Sequence, residues 1–86
     1  MRLTLSTLRG GTVWDEAPPP GTEDIFARHL PAGKPLIAFT NEAANRVATL
    51  ILRDLQELPP SPRLMVLMVN LQTIERREGS RILILR

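Results

Sequence analysis

Histidine occurs once in this chain, as His29, and neither cysteine nor tyrosine occurs at all. Those three residue types supply many of the nucleophiles and proton carriers that act near neutral pH, so covalent and general acid–base catalysis have little to work with. The sequence also contains no Gly-x-Ser-x-Gly elbow, no Walker-type glycine loop and no Gly-x-Gly-x-x-Gly fingerprint. Its one glycine pair, Gly10-Gly11, reads as a tight hairpin turn rather than a phosphate cradle. Adjacent carboxylates at Asp15-Glu16 and Glu23-Asp24 offer oxygen donors of the kind a hard divalent cation takes. Acids at helix starts are common for dipole reasons alone, however, and no obvious partner constellation surrounds His29. The expectation is a protein that is not an enzyme and uses no metal or cofactor.

Two other chemistries remain. Arg63, Arg76, Arg77 and Arg81, with Arg86 behind them, put guanidinium groups in the last third of the chain, and the planar guanidinium fork matches phosphate oxygens. Glu75 and Glu78 interrupt that cluster. The aromatic residues, Trp14, Phe26 and Phe39, are not interleaved with bases on a strand, so no stacking platform for single-stranded nucleic acid is indicated. Nucleic-acid binding through the arginines is therefore the alternative reading. The favoured one is apolar contact with another protein chain, either a second copy or a heteromeric partner, through Leu50, Leu52, Leu83 and Leu85.

The elements that must position these residues follow from periodicity. Residues 2–9 alternate Leu3 and Leu5 with Thr4 and Ser6, a half-buried strand, and Thr12-Val13-Trp14 can return beside it after Gly10-Gly11. Residues 15–21 end in Pro18-Pro19-Pro20-Gly21, a stiff surface loop. Thr22 precedes Glu23-Asp24 as an N-cap would, and a short helix runs over 23–30, with His29 in its last turn and Pro31-Ala32-Gly33 to stop it. A short buried strand is predicted at 36–39.

The clearest helix follows, capped by Thr40 or Asn41 and stopped by Pro59-Pro60. Ala44, Val47, Ala48, Ile51, Leu55 and Leu58 form its inward stripe, and Leu50 and Leu52 widen the apolar sector to about 200°, more than one sheet face needs. Residues 64–69, Leu-Met-Val-Leu-Met-Val, are apolar on both faces and read as the start of a central strand reaching residue 74. A turn at 75–80 and a second two-sided strand at 81–86 complete a C-terminal β-hairpin.

The predicted fold is thus a single α+β domain over residues 1–86, with a small mixed or antiparallel sheet of about four strands. Along the chain the order is β-α-β-α-β-β, with one short and one long helix mostly on one sheet face. A chain of 86 residues hides only about 60–65% of its unfolded surface, and with no cysteine for a disulfide its core is marginal. Two strands apolar on both faces against two helices leave cover in short supply, which is the argument for a partner chain.

Composition adds bounds. Net charge is only +2, although the pI is near 10.4. Residues 63–86 hold five arginines against two glutamates, whereas residues 1–40 balance four bases with four acids. The absence of cysteine suits a reducing, cytoplasmic compartment. The N-terminus lacks the apolar block of a signal peptide, and no apolar run approaches the roughly 18 residues needed to cross a bilayer. The Arg-rich, Lys-poor, Ala- and Pro-rich usage is that of a GC-rich bacterial or phage genome, where chains of this size serve as adaptors, inhibitors, regulators and assembly factors.

Overall fold

The computed structural model describes residues 1–38, 40–75, 77 and 79–86, residue 75 by its backbone alone. The elements are β1 (Arg2–Ser6), β2 (Thr12–Glu16), α1 (Glu23–His29), β3 (Leu36–Ala38), α2 (Glu42–Gln56), α3 (Pro62–Glu75) and β4 (Ser80–Leu85). Four antiparallel strands form one sheet in the order β2-β1-β4-β3, so the α+β class and the strand number hold.

The element order does not hold, because residues 64–74 form a helix rather than a central strand. The C-terminal hairpin therefore does not exist, and the chain closes with one strand, β4, at the middle of the sheet. Ser61 and Pro62 start the helix. Ser61 Oγ accepts from the Leu64 amide at 3.3 Å and its carbonyl accepts from the Met65 amide at 2.9 Å, while Pro62 sits where the first turn has no use for an N–H. Leu64, Leu67, Leu71 and Ile74 then follow at helical spacing, and all four are buried. Burial of side chains of this size stabilises by about 1.5–3 kcal/mol each, enough to override the strand preference of Val66 and Val69, which lie between them and stay exposed.

The two ends of the chain meet in the sheet. Leu3 pairs with Ile84 and Leu5 with Ile82, and Leu5 also faces Trp14 across the hairpin that the Gly10-Gly11 turn closes. Gly10 has φ +91°, a left-handed conformation that suits glycine. The inner face presents Leu3, Leu5, Trp14, Ile82 and Ile84, which share one core with buried side chains of all three helices. α3 lies on β1, β2 and β4, α2 lies on β3, and α2 is flanked by both α1 and α3. That flanking accounts for the wide apolar sector of α2, since its sides as well as its base have neighbours.

Two smaller expectations change. Asn41, not Thr40, caps α2, its Oδ1 accepting from the Ala44 amide at 2.7 Å. Thr22 does not cap α1 through its side chain; its buried hydroxyl donates to the Pro19 carbonyl at 2.7 Å and ties the helix to the proline loop. Pro18 and Pro19 are themselves buried, so only part of 15–21 is surface loop, and Asp15 and Glu16 belong to β2. Phe39, expected to end β3, lies outside the described residues.

Candidate functional site

Among the described residues, three of the seven exposed large hydrophobic side chains stand on the outer face of α3. On a helix the residues between the buried positions point outward, and here they are Met65, Val66 and Val69, exposed by 50%, 55% and 58%. A helix ordinarily turns charged or polar residues that way. Val66 continues into an apolar hollow of about 290 Å³ between α3 and β2, lined also by Pro62, Arg63, Trp14 and Glu16. Beside it runs the free edge of β2, which is bonded to β1 on one side and to no described strand on the other. An unpaired edge presents a row of backbone donors and acceptors with alternate spacing.

The four leucines expected at a protein interface are not brought together. Leu52 is in the core at 6% exposure, because α2 has helices on both sides, so it is not available as a surface contact. Leu50 is half-buried on α2. Leu83 and Leu85 do lie on the outer, uncovered face of the sheet, Leu83 opposite Thr4 and half-buried, Leu85 opposite Arg2 and 42% exposed. The sheet face they share also carries Arg2, Asp15 and Arg81, so it is a mixed surface rather than an apolar one.

The arginines are dispersed as well. Arg63 stands at the start of α3, where its guanidinium carbon lies 5.4 Å from the Trp14 ring centre and its Nη2 lies 3.2 Å from Glu16 Oε1 and 3.4 Å from the Ala17 carbonyl. It is engaged in holding α3 to β2. Arg77 and Arg81 are at the opposite end of α3 and on β4, and both are exposed. Arg76 lies outside the described residues. Among the described residues, Arg63, Arg77 and Arg81 therefore form no continuous stripe.

No protein-family model matches this chain, and no curated protein or solved structure matches it significantly. Function has to be read from the surface itself.

Other titratable residues pair across elements. Arg2 Nε donates to Asp15 Oδ1 at 2.7 Å, a bond that lowers the Asp15 carboxyl below its usual range and raises the guanidinium. His29 Nε2 is 2.7 Å from Asp54 Oδ2, joining α1 to α2. That pairing resembles the orienting half of a catalytic triad, but among the described residues no serine or threonine hydroxyl hydrogen-bonds the ring. Among the described residues no three His, Asp or Glu side chains are grouped as metal ligands, and no helix is long and apolar enough to cross a membrane.

The outward ridge of α3 is hard to see in the sequence because it is hidden in the same apolar run as the inward face. Its signal is the spacing of Leu64, Leu67, Leu71 and Ile74, which leaves Met65, Val66 and Val69 without a place inside.

Proposed function

We propose that the chain is a non-catalytic protein-binding module and that its contact surface is the flank made by the outer face of α3 and the free edge of β2, with a second copy as occupant. The observation that carries this reading is the apolar ridge of Met65, Val66 and Val69, each at least half exposed, of which Val66 borders the hollow shared with the unpaired strand β2. One occupant that satisfies both features must supply a strand and an apolar helix face side by side. A two-fold copy does so, because the same patch meets itself.

Antiparallel pairing of β2 with its copy, centred on Trp14, sets Thr12 opposite Glu16 and Val13 opposite Asp15. No like charges then face each other across the new strand pair. β3, the other edge, is three residues long and offers much less.

The test is solution mass by light scattering over a concentration series, on the wild type and on Val66→Asp with Val69→Asp. Both positions point outward, so the variant should keep its circular dichroism spectrum. The expected result is a wild-type dimer and a monomeric variant. A wild type that stays monomeric up to about 1 mM, where an association of only about 4 kcal/mol would register, would overturn the reading.

A further inference from the structure

We draw no further inference here: the strongest candidate, the apolar trough that continues the hollow beside Trp14 past Pro62 and Arg63 to Pro20, Leu58 and Pro59, shares its Trp14 end with the contact surface already described, and nothing in the structure shows what covers the rest.

Discussion

The imidazole of His29 meets the carboxylate of Asp54 at 2.7 Å, so the last turn of α1 is fastened to the C-terminal part of α2. Both side chains are largely shielded, at 17% and 27% exposure, whereas Arg28 reaches the same oxygen from solvent at 3.4 Å. α1 has only seven residues, too few to be stable alone, and it depends on such attachments together with the burial of Ile25 and Phe26. Asp54→Asn should cost about 1–2 kcal/mol, read as a lower urea midpoint with an unchanged slope. Arg28→Gln should cost less than half of that, because its side chain is mostly in water.

Gly79 holds φ at +81°, and a Cβ built there would collide with the Leu8 side chain, so the β1–β2 turn packs directly on the backbone entering β4. Gly79→Ala should therefore lose about 1–2 kcal/mol to backbone strain, and more to the collision. Adding Leu8→Ala should recover the collision part and leave the strain. A double-mutant cycle in urea separates the two, and a coupling of zero between residues 8 and 79 would mean that they do not touch.

The Arg2–Asp15 pair predicts a pH dependence with a definite sign. The hydrogen bond from Arg2 lowers the Asp15 carboxyl in the folded state, so the unfolded chain takes up a proton more readily. The stabilisation is present at neutral pH, above the unfolded value, and is lost as pH falls through the depressed folded value. The difference in thermal midpoint between wild type and Asp15→Asn should be positive at pH 7 and close toward pH 2. Both side chains are substantially exposed, so the difference should be small and should narrow in high salt. A difference that widens with acid would show that the substitution acts by another route than loss of the ion pair.

What could be read from the residues, and what could not, divides at Leu64. Before it the sequence carries punctuation: Gly10-Gly11, Pro31-Ala32-Gly33, Asn41 and Pro59-Pro60 mark the ends of elements, and the periods between them are distinct. At residues 64–69 both periods vanish, because the solvent side of α3 is as apolar as its core side. An apolar run shows no preference between a strand covered on two faces and a helix. The start signal, Ser61-Pro62, is present and outweighed. β4 does meet the expectation of a strand apolar on both faces, with Ile82 and Ile84 inside and Leu83 and Leu85 outside.

The same ambiguity supplies the sharpest test of α3. In a strand, residues two apart share a face, so Leu67 and Val69 would be buried or exposed together. In the helix they point to different sides, Leu67 at 0% and Val69 at 58% exposure. Leu67→Ala should accordingly cost about 2–5 kcal/mol through the cavity it leaves. Val69→Ala should change monomer stability by no more than about 0.5 kcal/mol, since alanine also favours the helix. The comparison belongs at concentrations low enough that association does not contribute, because a dimer formed through α3 would add its own free energy to the apparent stability. Equal losses from the two substitutions there would contradict the helix. A large gap at low concentration that shrinks as protein is added would place Leu67 in the core and Val69 in the contact between copies.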